Sequence, residues 1–441
     1  MPHVVASTNY NKEFSDALST LNEEQLKAVQ TIEGPVLVIA GPGTGKTQII
    51  AARIGYILST RDAQAHAGNI LCLTYTDAGA IAMRQRLLRF IGPVAYRVHI
   101  QTFHAFCNEV IQSNLDFFGR RYLEPITDLE KVTLIREIID GLAVTHPLKR
   151  LRGDAYSDLN RLENLFQMMK QEDWSPDFVR TKCDEYMKLL PERDEYIYKR
   201  ANAAKGIKAG DLKKELIVKQ EEKMSKLIAA ADLFPYYQER MQQMHRYDYA
   251  DMILWVIDAF KKDENLLRNY QERFQYFLVD EFQDTSGAQN EILNLLTEFW
   301  PNPNVFCVGD DDQCIYEFQQ ARIENMKEFV RKHCESLTTI ILTNNYRSTQ
   351  SILDASKHVI DLNTKRLTGR DAELKQCGVD VEKTLTAALQ PIKQSAVKPK
   401  VVEYPNIAQE EAAVVLRIEE LQQQGIPLKE IAVIYYRHAQ G

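Results

Sequence analysis

The residues best suited to hold a phosphate lie in AGPGTGKT, Ala40–Thr47. They follow the apolar run PVLVIA (35–40) and open into the helical pattern TQIIAARIGYIL (47–58). Strand, glycine-rich turn and helix, in that order, are the setting in which such a loop binds nucleotides. Gly41, Gly43 and Gly45, with Pro42 and Thr44 between them, let the backbone curl so that its N–H groups face phosphate oxygens. The helix N-terminus adds a field that favours the anion. Lys46 is placed to reach the β- and γ-phosphates and Thr47 to ligate magnesium. Gln48 completes the nucleotide-binding positions. A phosphate loop alone does not hydrolyse ATP. The run YFLVDEFQDT (276–285) supplies what it lacks. Asp280, at the end of an apolar strand, is placed to hold magnesium. Glu281 is placed to take a proton from the attacking water. An acidic pair after a strand can also be a plain solvent-facing strand end, but the upstream loop favours the chemical reading. ATP and Mg2+ are the expected nucleotide and metal.

These residues need a scaffold that presents them together. Short β-rich runs recur at 35–40, 69–75, 96–103, 276–282, 304–310, 338–343 and 430–437, separated by helical stretches. Such runs predict a buried parallel sheet in an α/β fold. Ligand sites in these sheets lie beyond the carboxyl ends of the strands, where the polar motifs fall. Between about 108 and 248 strand signals vanish and charged helical patterning takes over, which reads as an all-helical insertion. Its lysine-rich stretch 199–227 reads first as a solvated helix face and second as a DNA-backbone contact surface. The segment 364–400, polar and without a clear period, is the most linker-like, and no internal repeat is visible.

The chain has 441 residues, 45% hydrophobic and 26% charged, with a formal net charge of -7. That length suggests two to four domains. The acidic balance argues against a simple nucleic-acid coat protein but leaves room for a local basic groove. The seven cysteines are scattered and form no C-x-x-C pair. That pattern predicts reduced cytoplasmic thiols and neither a metal cluster nor a disulfide framework. The first residues carry no apolar signal core, and no apolar run approaches membrane-spanning length.

Eight phrases occur in order: LNEEQLKAV (21–29), AGPGTGKT, LTYTDAGAIAMRQRL (73–87), IQTFHAFC (100–107), YDYADMI (247–253), VDEFQDT (279–285), VGDDDQCIYEFQQA (308–321) and LTNNYRST (342–349). Together they resemble the first half of the motif set of UvrD/Rep/PcrA-type superfamily 1 DNA helicases, strongly over 21–116 and 245–350. The resemblance implies a RecA-like P-loop motor domain over 1–107 and 246–335, a helical insertion over 108–245, and an incomplete second RecA-like domain over 336–441. It implies that Gln25 reads adenine, that Tyr346 stacks on it, that Gln313 senses the γ-phosphate or the attacking water, and that Arg347 reaches the γ-phosphate from the second domain. It also implies that Tyr75, Phe103, His104, Tyr316 and Phe318 face single-stranded DNA, since aromatic faces accept any base. The expected activity is ATP-driven 3′-to-5′ movement on single strands and single–double-strand junctions, in DNA repair, replication or recombination.

Some positions depart from the family pattern. Asp77-Ala78 stands where Asn-Lys is usual, Gln319 where an arginine is usual, and Gln48 where an arginine is common. ATPase chemistry is therefore expected to be intact and DNA coupling altered. The chain stops after EIAVIYYRHAQG, which resembles the strand before the second large insertion of these helicases. It therefore reads as a fragment, with a shortened homologue as the alternative, and is expected to bind ATP yet be a weakly DNA-stimulated ATPase. Two alternatives stay open: the helicase part of an AddA/RecB-like helicase–nuclease, and a nucleotide-dependent DNA-binding module that does not unwind.

Overall fold

The computed structural model describes residues 8–60, 65–118, 123–150, 152–200, 208–314, 323–363, 366–367, 372–379, 381–390 and 397–435. Its centre is a six-stranded parallel sheet. The strands are β1 Val36–Ala40, β2 Ile70–Thr74, β3 His99–Thr102, β4 Tyr276–Val279, β5 Val305–Gly309 and β6 Thr338–Leu342, in the order β3-β2-β4-β5-β1-β6. The central runs are apolar throughout because helices cover both faces of the sheet. Leu37 and Ile39 point into one core layer, while Val36, Val38 and Ala40 point into the other. Helices Glu23–Gln30, Lys46–Ser59 and Asp77–Ile91 cover the second layer; Phe103–Ser113, Tyr249–Lys262, Gly287–Thr297 and Ile323–Lys332 cover the first. The fold is α/β with a parallel sheet, as the strand pattern predicts, and consistent with the RecA-like motor that the resemblance implies.

Helices Asp128–Gly141, Leu159–Gln171, Pro176–Leu189, Lys214–Ala231 and Phe234–Gln243 form the insertion. They have a core of their own, around Ile135, Leu162, Phe166 and Tyr237. A two-residue ladder, Glu124–Pro125 beside Arg246–Tyr247, closes its base. Lys170 fastens it to the motor: its buried Nζ lies 2.8 Å from both Asp248 Oδ2 and Asp251 Oδ1.

Four sequence expectations change here. β6, expected in the second domain, pairs with β1, so the first sheet extends past residue 335. The run at 430–437 forms no strand over its described residues 430–435. No described strand pairs with it, and Ile434 is 97% exposed. The stretch 364–400 is no simple linker, because Leu367, Leu374, Val379 and Val381 are buried in the motor's own core. Cys334 and Cys377 are joined in a disulfide, whereas the other five cysteines keep their thiols. Packing of Ala372–Gln376 against Ile323–Lys332 brings the two bonded sulfurs together, which spacing alone does not disclose. Among the described residues no helix is long and apolar enough to cross a membrane.

Candidate nucleotide site

The loop after β1 turns at Gly43 (φ 69°) and Gly45 (φ 91°), in the left-handed region that favours glycine. Space enforces the same choice at Gly43. A Cβ there would stand 2.6 Å from Arg347 Cβ and 2.8 Å from Asn345 Nδ2. Gly45 caps the helix Lys46–Ser59, so that helix's N-terminus faces the loop.

Gln25 is buried against the loop. Its Nε2 donates to Thr44 O at 2.8 Å, and its Oε1 accepts from the Asn22 amide at 3.1 Å, closing a capping box for Glu23–Gln30. One Nε2 proton and part of Oε1 stay available to a base edge. Asn22 Nδ2 in turn donates to the Tyr346 hydroxyl at 3.1 Å, and the Tyr346 amide donates to Gly43 O at 2.8 Å. The Tyr346 side chain is 37% exposed beside the loop. Arg347 is exposed, with its stem over Gly43.

At the end of β4, Asp280 is buried and accepts the Glu281 amide on Oδ1 at 3.0 Å. Burial, with the neighbouring Glu281 charge, pushes its carboxyl up to about 6. Glu281 adopts a left-handed backbone (φ 48°), and its Oε2 lies 2.5 Å from Lys46 Nζ. Gln283 Nε2 donates to Glu281 Oε2 at 2.9 Å and to Asp284 Oδ2 at 3.1 Å. Asp284 Oδ1 is buried without a hydrogen-bond partner, and burial together with Glu281 pushes that carboxyl up to about 6 as well. Thr47, Asp280, Glu281, Asp284 and Gln313 line one cavity of about 370 Å³. Oxygen-rich and holding an orphaned carboxylate oxygen, it suits a hydrated magnesium ion, which demands oxygen ligands and keeps several waters.

The cleft is also braced by residues to which the motifs assign no role. Buried Asn345 accepts the Arg347 and Ser348 amides on Oδ1 at 2.8 and 2.7 Å and donates from Nδ2 to Pro42 O. Its place in the phrase LTNNYRST is the available signal, since asparagine often caps its own turn. Gln283 and Asp284 sit inside VDEFQDT and are legible in the same way. Nothing in the sequence points to Lys383 or Arg366, which meet the Asp310–Asp312 run from the stretch read as linker.

The expected DNA contacts separate. Tyr75 is 37% exposed and lines the magnesium-side cavity. His104 is half-buried, its ring edge-on to Tyr249 with centroids 6.4 Å apart, and burial lowers its pKa from the ordinary value. Phe103 is a correction: only 3% exposed, its ring belongs to the motor core and offers no face to a base. As the first residue of the helix Phe103–Ser113 it lies on the side that covers the sheet. Tyr316, Phe318 and Gln319 lie outside the described residues.

Comparison with known proteins agrees with this geometry. The UvrD/REP helicase N-terminal domain family model matches residues 21–334, and the UvrD-like helicase C-terminal domain model matches 340–441. The ATP-dependent DNA helicases PcrA of Staphylococcus aureus and of Staphylococcus epidermidis are each 29% identical over 350 residues, 79% of this chain and 41% of theirs. The chain thus spans less than half the length of these curated relatives. A match of this extent, over the residues that build the cleft, makes the chain a member of the UvrD/REP helicase family.

Proposed function

We propose that this chain carries the ATP-hydrolysing motor of a DNA helicase that moves 3′-to-5′ along single-stranded DNA and engages single–double-strand junctions, in cytoplasmic repair, replication or recombination. The observation that carries the reading is the contact of Lys46 with Glu281 beside Asp280, at the ends of β1 and β4. Incoming phosphates offer Lys46 a stronger partner. Once Lys46 turns to them, Glu281 is released to accept the proton of an attacking water, held in place by Gln283. Thr47 and Asp280 would hold magnesium, which supplies neutralisation of phosphate charge. Gln25 and Tyr346 take the base, Gln313 faces the γ-phosphate, and Arg347 brings positive charge across the cleft. Tyr75 and His104, with Tyr316 and Phe318, are the proposed strand contacts.

A second reading, a nucleotide-dependent DNA-binding module that does not unwind, is favoured by one observation. Residues 397–435 are largely exposed and bury little against the motor. The discriminating measurement is ATP turnover with and without single-stranded DNA, alongside displacement of a strand from 3′-tailed and 5′-tailed duplexes. Turnover raised by DNA with displacement only from the 3′ tail is expected of the helicase. Tight DNA binding with no displacement from either tail selects the binding module.

A further inference from the structure

The run Asp310–Asp312 leaves the end of β5 with three carboxylates within 4.8 Å of one another. Asp310 is 0% and Asp311 3% exposed. Charges so crowded and so dry need a countercharge. The arrangement resembles a cation site, and the cation that fills it is an ammonium from this chain. Lys383 Nζ lies 2.7 Å from Asp311 Oδ1 and 2.8 Å from Asp312 Oδ2, and also contacts Asp310 Oδ1. Burial alone would pull that ammonium down, but the three aspartates outweigh burial and hold it above lysine's ordinary value. Arg366 adds a fork to Asp312, Nε to Oδ1 at 2.6 Å and Nη2 to Oδ2 at 3.0 Å. The Leu367 amide donates to Asp311 Oδ2 at 3.1 Å.

Gln313 hangs from the same run. Its Nε2 donates to Asp310 Oδ2, while Lys383 holds the other oxygen of that carboxylate. The backbone of Asp310 is set from the other side, where its amide donates to Gln283 Oε1 at 2.9 Å. Asp310 Oδ1 also accepts the Asp312 amide at 3.1 Å, so Lys383 shares with that local cap the setting of the Asp310 rotamer and, with it, the place of Gln313. Lys383 lies in the residues matched by the C-terminal family model, whereas Gln313 lies in those matched by the N-terminal one.

We infer that Lys383, assisted by Arg366, is a positioning residue that holds Gln313 in register with the γ-phosphate through Asp310. The inference rests on the proposed reading of Gln313 as the γ-phosphate sensor. It makes the segment after residue 365 part of the nucleotide-sensing apparatus and not only a connection between domains.

The test is a double-mutant cycle on nucleotide binding, which needs no turnover. Affinities for Mg–ATPγS and Mg–ADP are measured for the wild-type chain, Lys383→Met, Gln313→Ala and the double variant. Lys383→Met should weaken ATPγS binding about fivefold while ADP binding stays within about twofold, a coupling of the size expected between neighbours in one network. In the Gln313→Ala background it should add no further loss, because residues acting through one another are not additive. Lys383→Arg, which keeps the charge, should recover part of the affinity. Unchanged ATPγS affinity in Lys383→Met, equal losses for both nucleotides, or additive losses in the double variant would overturn the inference while leaving the ATPase reading intact. A wild-type chain that binds neither nucleotide overturns both. Should Lys383→Met fail to fold in a thermal melt, Lys383→Met combined with Asp311→Asn removes one charge of each sign and carries the same expectations.

Discussion

Lys46 and Glu281 hold each other at 2.5 Å across two strand ends, each occupying the group that the other's chemistry requires. Glu281→Gln keeps the size of the side chain but removes the base. It should leave ATP and magnesium bound and slow single-turnover hydrolysis by ~10²–10⁴-fold. An unchanged single-turnover rate would assign the base elsewhere. Asp280 gives a pH signature. Its carboxyl is pushed from an ordinary 3.8 to about 6, so the folded chain holds its proton more firmly than the unfolded chain does. The resulting stabilisation is full below the unfolded value and is lost as pH rises through about 6. Without magnesium, the Tm advantage of wild type over Asp280→Asn should therefore shrink from about pH 4 towards about pH 7. Magnesium with nucleotide should restore it at the upper end, because the ion binds the deprotonated carboxylate. A difference that stays flat across the range, with and without the ion, rules this account out.

Among the elements, the segment from Arg366 to Lys383 does most to change the expected architecture. Leu367, Leu374, Val379 and Val381 bury themselves in the motor core, and Cys377 is bonded to Cys334 just beyond the helix Ile323–Lys332. The bridge closes a sequence separation of 43 residues. Restricting an unfolded loop of that size is typically worth about 2–4 kcal/mol. Cys377→Ser should lower stability by that amount in chemical unfolding under oxidising conditions, and a reductant should bring wild type down to the same midpoint. If wild type and variant unfold alike before reduction, the bridge does not form in solution.

The whole molecule combines a well-packed motor with an insertion that has its own core and a lightly packed final segment. Val401 is 95% and Ile434 97% exposed, so residues 397–435 contribute little packed surface to the cleft face that Arg347 begins. Charge delivered across such a cleft can be worth ~10³–10⁵ in rate in phosphoryl-transfer enzymes, and its delivery depends on closure. The chain should therefore bind ATP while single-stranded DNA stimulates its turnover far less than it stimulates PcrA of Staphylococcus aureus assayed side by side. Equal stimulation in the two would show that packing of residues 397–435 against the cleft is dispensable for coupling.

The α/β class, the phosphate loop, the acidic pair at the strand end and the helical insertion are legible in the order of residues alone. Each of these is written locally: apolar runs bounded by polar residues, glycines where the backbone must reverse, carboxylates where a strand stops. Gly43 and Gly45 can be read without coordinates because their conformation is a property of a few adjacent residues. Long-range packing, by contrast, places β6 in the first sheet, turns Phe103 to the core, joins Cys334 to Cys377 and brings Lys383 and Arg366 to neutralise Asp310–Asp312. These outcomes depend on which distant surfaces pack together in the folded chain. A buried lysine 73 positions from its aspartate has no periodicity that announces it. Its partner is set by the packing of Leu367, Leu374, Val379 and Val381 into the same core as the sheet's own side chains, a relation between residues far apart in the chain.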